Sequence, residues 1–444
     1  MHIEQNGNSI LDIRNKLRGA GLRATQTIFY LTRMNFKRSD LKHLFSLPVI
    51  VAALGYFVDI YDLLLFGIVR IPSLKSLGLS DAEVSTIGTS ILNWQMAGML
   101  AGGLLWGVLG DKKGRLSVLF GSIITYSLAN IACGFVHDAD TYMLLRFIAG
   151  VGLAGELGAG ITLVSESIPK EIRALGTSLV SGVGVLGAVI GYMTVELFDW
   201  RTAYFVGGGM GFALLLLRIG VFESSFFKNI KSADHISKGN FFKLFSNKDR
   251  MIRYLKCIGM GIPSWFVIGI CATFSNEIGK ALNIVEPVVP GLSIMWLYIG
   301  LAIGGLANGF VSQQLQSRKK AVLYFLLFQF LMVIIYLSGI IHTAGGVYIM
   351  CVLLGLGGGY WAMFVTIAAE QFGTNLRATA ATTVPNMVRG TTIIDTWLYQ
   401  FIKGMKLPAT AAAGIVGFLI FTIAFYSINT IAETHDKDLD YLEE

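Results

Sequence analysis

The chain has 444 residues, of which 54% are hydrophobic and only 14% are charged. Globular domains usually carry roughly 25% charged residues, and a soluble core has no room for about a dozen apolar runs of roughly 20 residues, the length that crosses a bilayer. Composition therefore excludes a soluble enzyme, and the net charge of +7 has to be explained by where the basic residues lie.

The first 46 residues carry eight lysines and arginines. These charges interrupt any apolar core, so we do not expect a cleaved signal peptide. The stretch 10–45 is amphipathic and fits a helix that lies on the inner leaflet. A partly ordered basic tail fits this stretch equally well.

Apolar runs between charged or turn-rich breaks predict twelve membrane-spanning helices in an all-α membrane protein. They fall at 47–69, 85–109, 117–136, 141–165, 174–197 and 202–221, and then at 255–275, 289–315, 321–341, 345–369, 378–402 and 409–431. This arrangement predicts a basic segment at 1–46, six-helix bundles at 47–221 and 255–432, a linker at 222–254 and a tail at 433–444.

Basic residues are concentrated on one side of this predicted topology. The loops at 112–115 and 318–320 and the linker are basic, whereas the loops at 137–140 and 342–346 contain no lysine or arginine. Because lysine and arginine mark cytoplasmic loops, we expect a multi-pass protein of a bacterial inner membrane with both termini in the cytoplasm. The basic excess is then a feature of topology, and nucleic acid is not an expected partner.

The first predicted span carries two aspartates, Asp59 and Asp62, which share a helical face because they are three residues apart. Two close carboxylates repel each other unless one is protonated or a cation lies nearby. Asp62 lies roughly 10 Å, and Arg146 of the fourth span roughly 8 Å, below the outer ends of their helices, and Asn93 and Gln95 reach a similar depth. We predict that Asp62 pairs with Arg146 when ionised and releases it when protonated; a static bridge is the alternative.

A glycine-rich basic motif follows the second span. Gly107, Asp111, Lys112, Gly114 and Arg115 form the pattern Gly-x-x-x-Asp-Lys-x-Gly-Arg. The second glycine permits a tight turn, and the aspartate can cap the third helix and pair with a cation. The pattern resembles the signature of the major facilitator superfamily and predicts a latch that holds helices together at the cytoplasmic face in one conformation.

The two halves of the chain repeat with an offset of 204 residues, since Glu166 aligns with Glu370 and Arg173 with Arg377. In each half the glutamate ends the fourth span and the arginine opens the fifth, so these residues extend the predicted latch. Six plus six spans in parallel repeats is the major facilitator layout, in which substrate binds at the midplane between the halves.

Residues 55–67 resemble the first-span motif Gly-Asn-x-x-Glu-Trp-Tyr-Asp-Phe of the bacterial metabolite:proton symporters. Residues 146–158 are similar to that family's fourth-span motif Arg-x-x-x-Gly-x-x-x-Gly-Gly-Glu-Trp-Gly-Gly. The resemblance covers much of the first half, and the second half resembles only the superfamily. The departures are Tyr56, Asp59, Ile60 and Leu157, where the family has Asn, Glu, Trp and Trp.

This resemblance implies that Asp59, Asp62, Arg146 and Glu156 form a charged proton-coupling set. The proton is then the coupling ion, and no other cofactor is expected. The family carries organic acids such as citrate, oxoglutarate and shikimate, and zwitterions such as proline and betaine.

Arg389, near the middle of the eleventh span, is the predicted ligand for a substrate carboxylate. Pairing with Asp395 or with an acid of another helix is the alternative. The other predicted substrate contacts are Asn93, Gln95, Tyr61, Tyr360, Trp361 and Trp265, with Trp397 as a further aromatic candidate.

We predict a monomeric secondary active transporter that imports a small polar metabolite, an organic acid or a zwitterion, with protons by alternating access. The alternative is a proton-exchanging exporter of a metabolite, drug or citrate-type siderophore, although the glycine-rich segment 182–191 lacks the proline that superfamily exporters usually have there. A non-transporting sensor or scaffold would gain nothing from charges within spans.

The four cysteines all lie in apolar runs and lack metal-ligand spacing. No arrangement of serine, histidine and aspartate predicts catalysis, so neither a metal site nor an enzyme is expected.

Overall fold

The computed structural model describes residues 45–113, 115–156, 173–222, 241–435 and 443. Residues 47–444 form one compact unit. The predicted amphipathic segment, most of the linker and tail, Gly114 and Glu166 lie outside the described residues.

Long helices occupy the positions of all twelve predicted spans. In the first half they are α1 (Leu47–Ser76), α2 (Asp81–Lys113), α3 (Arg115–Cys133), α4 (Ala139–Leu153), α5 (Arg173–Leu197) and α6 (Trp200–Phe222). In the second half they are α7 (Lys248–Ala272), α8 (Pro290–Leu315), α9 (Arg318–Leu337), α10 (Ala344–Glu370), α11 (Thr374–Gly404) and α12 (Ala409–Thr430). A short helix, Ser275–Ala281, lies between α7 and α8.

Eight of these helices, α1, α5, α6, α7, α8, α9, α10 and α12, are long and apolar enough to cross a membrane. The helix α3 contributes a shorter apolar segment, Phe120–Cys133. The predicted all-helical membrane fold is therefore confirmed. The count of twelve spans also includes α2, α3, α4 and α11, which are assigned as spans only because they lie at the predicted positions.

Polar residues at the helix starts explain why the helices begin where they do. Asp138 accepts a hydrogen bond from the backbone N–H of Thr141 at the start of α4, and Thr343 does the same for Gly346 at the start of α10. The first N–H groups of a helix have no partner within the helix, so such side chains stabilise the end.

Glycines let α2 approach α4 in the first half and α8 approach α10 in the second. A Cβ atom on Gly98 would overlap the carbonyl oxygen of Phe147, and one on Gly300 would overlap that of Val352. Lipid is as apolar as the helix surface, so no hydrophobic effect drives helices together in a membrane. Helix association depends instead on close packing, which small residues allow. The two halves thus use the same contact at equivalent helices, as the internal repeat requires.

The halves meet where α2 packs against α11 and α5 against α8. Because successive helices alternate in direction, the basic loops after α2 and α8 lie at one end of the bundle, here called the basic face. The opposite end, where α1 joins α2, α7 joins α8 and α11 joins α12, is here called the distal face.

Candidate functional site

A buried pair of opposite charges joins the two halves at mid-depth. An Nη2 atom of Arg389, on α11, lies 3.7 Å from Oδ2 of Asp59, on α1, and neither residue is more than 1% exposed. Arg389 also donates to Oδ1 of Asn386 at 3.4 Å, whereas its Nε has no hydrogen-bond partner among the described residues. The pair is long for an ion pair, and the guanidinium keeps a free donor.

Aromatic side chains surround this pair. The ring of Trp265 lies 5.8 Å from the Arg389 guanidinium carbon, and Tyr56 of α1 lies near Trp361 of α10. Predicted contacts Trp265 and Trp361 thus lie at the centre. Tyr360 instead packs within the second half, where its hydroxyl donates to the carbonyl of Met260 at 3.4 Å.

Glu156 has a partner that the sequence interpretation missed. Arg218 of α6 donates to both of its carboxylate oxygens, at 3.0 Å from Nη1 to Oε2 and more closely from Nη2 to Oε1. Both side chains are at most 2% exposed, and a Cβ on Gly55 would overlap the pair. Arg218 lies inside the predicted span 202–221, and an arginine in an apolar run was the signal that could have identified it.

The predicted ion pair between Asp62 and Arg146 is wrong. Arg146 donates to the main-chain carbonyl of Asp62 at 3.0 Å, to Asn130 at 2.8 Å and to Gln95 at 3.3 Å. The Asp62 carboxylate is fully buried, and both of its oxygens lack a hydrogen-bond partner in the described chain. The two residues do lie at matching depth, but the Asp62 carboxylate packs against α6, where a Cβ on Gly207 would overlap Oδ1.

Other predicted contacts serve the helix framework. Gln95 donates to the carbonyl of Leu63 at 3.0 Å, and the Tyr61 hydroxyl donates to the carbonyl of Ala203 at 2.9 Å. Asn93 lies on the boundary between the halves and accepts a hydrogen bond from Thr396 of α11 at 2.7 Å. Gln95 and Tyr61 are therefore structural contacts within the first half.

The structure decides between the alternatives for two side chains of α11. Arg389 pairs with an acid of another helix, Asp59, and the buried Asp395 forms no ion pair with it. Trp397 is 61% exposed and stacks on Phe401, so it faces outward, away from the central site.

The predicted latch on the basic face is described only in part. Glu370, at the end of α10, forms an ion pair with Arg318, at the start of α9, and Arg377 lies in the first turn of α11. The side chains of the remaining latch residues, Gly107, Asp111, Lys112, Gly114, Arg115, Glu166 and Arg173, lie outside the described part of the chain.

A second polar cluster closes the halves at the distal face and was not predicted. Ser85 of α2 donates to Oε1 of Glu277 at 2.7 Å, and Lys403 of α11 lies 2.5 Å from Oε2 of Glu277. Gln400 of α11 donates to Thr89 of α2 at 2.8 Å. We call these five residues, Ser85, Thr89, Glu277, Gln400 and Lys403, the distal gate.

Glu277 lies on the short helix beyond the end of α7. Burial favours its neutral form, but Lys403, Arg70 and the hydrogen bond from Ser85 outweigh burial and hold the pKa of Glu277 below its usual range. The carboxylate is therefore ionised at neutral pH, and the distal gate is held by charge.

Within the described residues, no group of three or more histidine, cysteine, aspartate or glutamate side chains is placed to hold a metal ion.

Comparison with known proteins agrees with this architecture. The family model of the Major Facilitator Superfamily matches residues 52–390. A protein of Haemophilus influenzae that is named as a metabolite transport protein is 28% identical over 364 residues, 77% of this chain and 85% of that protein. A niacin transporter of Acinetobacter baylyi is 32% identical over 162 residues, 36% of each chain.

Among solved structures, that of a D-xylose-proton symporter superposes with a TM-score of 0.66 at 16% identity. The superposition covers 88% of this chain and 99% of the symporter chain. At this identity the likeness establishes the fold.

Proposed function

The chain belongs to the major facilitator superfamily, and we propose that it imports a small organic acid together with protons across a bacterial inner membrane. The observation that carries this proposal is the buried pair of Asp59 and Arg389, which lies between the halves at 3.7 Å. Substrate in this fold binds at the midplane between the halves.

Arg389 is the proposed carboxylate ligand. A guanidinium binds a carboxylate through two parallel N–H donors, and the unpartnered Nε of Arg389, next to its long contact with Asp59, leaves this mode available. A substrate carboxylate can therefore take the place of Asp59 on the guanidinium.

The displacement of Asp59 supplies a reason for proton coupling. A buried carboxylate that loses its cationic partner is strongly destabilised, so Asp59 would take up a proton when the substrate anion binds. Asp62, buried without a hydrogen-bond partner, is the second proposed proton carrier. Glu156 and Arg146, which are fully engaged with their own partners, are proposed to hold the helices around these aspartates.

The aromatic side chains favour an acid that carries a ring. Trp265 lies beside Arg389, and Tyr56 and Trp361 meet across the halves next to Asp59. Offset stacking on such rings stabilises a planar ligand. Niacin, named for the relative from Acinetobacter baylyi, combines an aromatic ring with a carboxylate.

A thermal-shift experiment on the purified full-length protein tests the substrate class. The probes are nicotinate and benzoate, with nicotinamide and benzamide as neutral analogues of the same shape. A ligand present at 100 times its Kd stabilises the folded state by about 2.7 kcal/mol, so we expect the acids to raise Tm and the amides to leave it unchanged.

Arg389→Ala should remove the response to the acids, whereas Arg201→Ala should retain it. Arg201 serves as the control because it lies on the distal face and donates to the carbonyl of Val136. Stabilisation by the amides alone, or by the acids in Arg389→Ala, would contradict a carboxylate site at Arg389.

A further inference from the structure

A cleft of about 990 Å³ opens between the halves at the distal face. We call it the vestibule. Its first-half wall includes Ile68, Arg70, Tyr192 and Glu196, and its second-half wall includes Asn276, Glu277, Lys280 and the segment 284–291. The vestibule adjoins the distal gate, since Ser85, Glu277 and Lys403 line both.

The carboxylates of the vestibule already have partners. Asp81 lies 2.9 Å from Lys75 and 3.9 Å from Lys280, and Glu277 is held by Lys403. The remaining two are also bound, Glu196 by the Tyr192 hydroxyl at 2.7 Å and Glu286 by the backbone N–H of Ala344 at 2.8 Å.

Arg70 differs from the other three cations of the vestibule because, among the described residues, no carboxylate forms a direct salt bridge with it, although Glu277 lies near enough to interact with its charge. It is 1% exposed, and its Nε and Nη1 atoms have no hydrogen-bond partner within the described chain. Its Nη2 donates to the carbonyl of Thr273 at 2.9 Å and to Asn276 at 3.2 Å. A buried guanidinium with two unused donors is costly unless an anion completes it.

Neighbouring residues hold this guanidinium in place. The ring of Phe274 lies 4.4 Å from the guanidinium carbon, and Gly88 of α2 leaves room for the aliphatic stem, since a Cβ there would lie 2.9 Å from Cδ of Arg70. Stacking on an aromatic face fixes the plane of the fork. The site is therefore preorganised for a planar, two-oxygen anion.

We propose that Arg70 is an outer binding site for the substrate carboxylate, occupied before the anion passes to Arg389. The anion binds through the Nε and Nη1 donors of Arg70. The same guanidinium holds Thr273 and Asn276 across the boundary between the halves through Nη2, so the anion would bind beside this contact without displacing it. The proposal rests on the proposed function, since it assumes a carboxylate substrate.

The test measures KM separately from each face, in proteoliposomes that contain the full-length protein in one orientation, with radiolabelled nicotinate and benzoate as probes. We expect Arg70→Gln to raise KM from the distal face by about tenfold, the usual consequence of losing a charged hydrogen bond, and to leave KM from the basic face unchanged. Arg70→Lys keeps the positive charge but lacks the paired donors of the guanidinium, so its KM from the distal face should lie between those of the unmodified protein and Arg70→Gln.

Two control variants separate binding from gating and from general charge. Asn276→Ala removes a contact of Arg70 between the halves but leaves the guanidinium in place, so it should not raise KM from the distal face. Lys280→Gln removes an exposed vestibule cation and should leave both KM values unchanged.

A purely gating role of Arg70 would shift the balance between the two open states, so that Arg70→Gln would lower the distal KM and raise the KM from the basic face. That pattern of KM values would overturn the outer site. An equal rise of KM on both faces, or no change in either KM, would also overturn it. Uptake that requires Arg389 but not Arg70 would contradict the outer site alone. Absence of carboxylate uptake by the unmodified protein would contradict the proposed function and, with it, this inference.

Discussion

Charged side chains inside the bundle are arranged as separate units with different tasks. Glu156 and Arg218 form a closed pair within the first half, Arg146 is saturated by oxygen acceptors, and Asp59 meets Arg389 across the halves. Only the last pair can exchange a partner when the halves separate, so the residues that hold the fold differ from those proposed to carry the substrate.

The closed pair yields a stability prediction. Arg218→Leu leaves Glu156 buried without a cation, and we expect a loss of about 3–5 kcal/mol, seen as a lower Tm of the purified protein. The double variant Glu156→Leu with Arg218→Leu should recover most of that loss, because two apolar side chains of similar size need no partner. A double variant as unstable as Arg218→Leu alone would mean that the pair is not the cause.

Asp62 gives a second prediction at this scale. Asp62→Asn keeps the shape of the side chain but cannot exchange a proton, so we expect proton-driven accumulation of the substrate to be lost while substrate exchange across the membrane continues. Uptake assays with and without an imposed pH gradient separate the two activities. Uphill accumulation equal to that of the unmodified protein would reject Asp62 as a proton carrier.

The sequence indicated several of the buried ionisable residues, such as Asp59, Arg146 and Arg389, because they stand out in apolar runs. It did not indicate their pairing. Asp62 and Arg146 lie at matching depth, yet Arg146 binds the main-chain carbonyl of Asp62. Composition does not specify the direction in which the carboxylate points. Arg218 was overlooked because it lies near the end of its predicted span, where an arginine is often exposed at the membrane surface.

At the level of helices, glycine placement determines how closely α8 and α10 pack. A Cβ on Gly355 would overlap the carbonyl oxygen of Leu297, whereas one on Gly345, in the same helix α10, would meet nothing within 4 Å. We expect Gly355→Ala to destabilise the protein by about 1–3 kcal/mol through overpacking. Gly345→Ala should be neutral or slightly stabilising, since alanine favours a helix. Equal Tm values for the two variants would contradict this packing.

The distal gate provides a prediction on pH. Because the pKa of Glu277 is lowered, the contribution of its ionised form to the closed gate is present above the ordinary pKa of glutamate, about 4.3, and is lost only as pH falls through the lowered value. Closure of the distal gate should therefore be constant between about pH 5 and pH 8.

Labelling of Thr392→Cys by an impermeant thiol reagent applied at the distal face reports on this gate. Thr392 is 1% exposed and lies one turn below Thr396, and the four native cysteines are buried. Because the reagent attacks the thiolate, whose fraction changes with pH, each rate is divided by that of a small free thiol at the same pH. This relative rate should be low and independent of pH in this range. Glu277→Gln should accelerate it, and Glu286→Gln, in the same vestibule but outside the gate, should not. A relative rate that rises as pH falls from 8 to about 5 would show that the gate is not held by an ionised Glu277.

Helix positions were largely predictable because apolar runs and basic loops mark them directly. The distal gate was not, for a local reason. Residues 275–281 form their own short helix, while the predicted seventh span ended at 275 and left Glu277 in an unassigned loop. The gate residues also come from helices far apart in sequence, and only the packing of α2 against α11 brings them together.

For the whole molecule, the structure joins the halves at the distal face through the distal gate and at mid-depth through Asp59 and Arg389. In alternating access the two halves rock around the central site. Opening of the distal face has to break the contacts of the distal gate. Binding of a substrate anion replaces Asp59 as the partner of Arg389.

The central claim is that displacement of Asp59 from Arg389 couples the proton to the anion. It is tested most directly by accumulation of radiolabelled nicotinate or benzoate in proteoliposomes under an imposed proton gradient, with protein-free liposomes as the control for passive entry of the acid. We predict uphill accumulation by the unmodified protein, and exchange without uphill accumulation by Asp59→Asn. Accumulation by Asp59→Asn equal to that of the unmodified protein would contradict the coupling role of this pair.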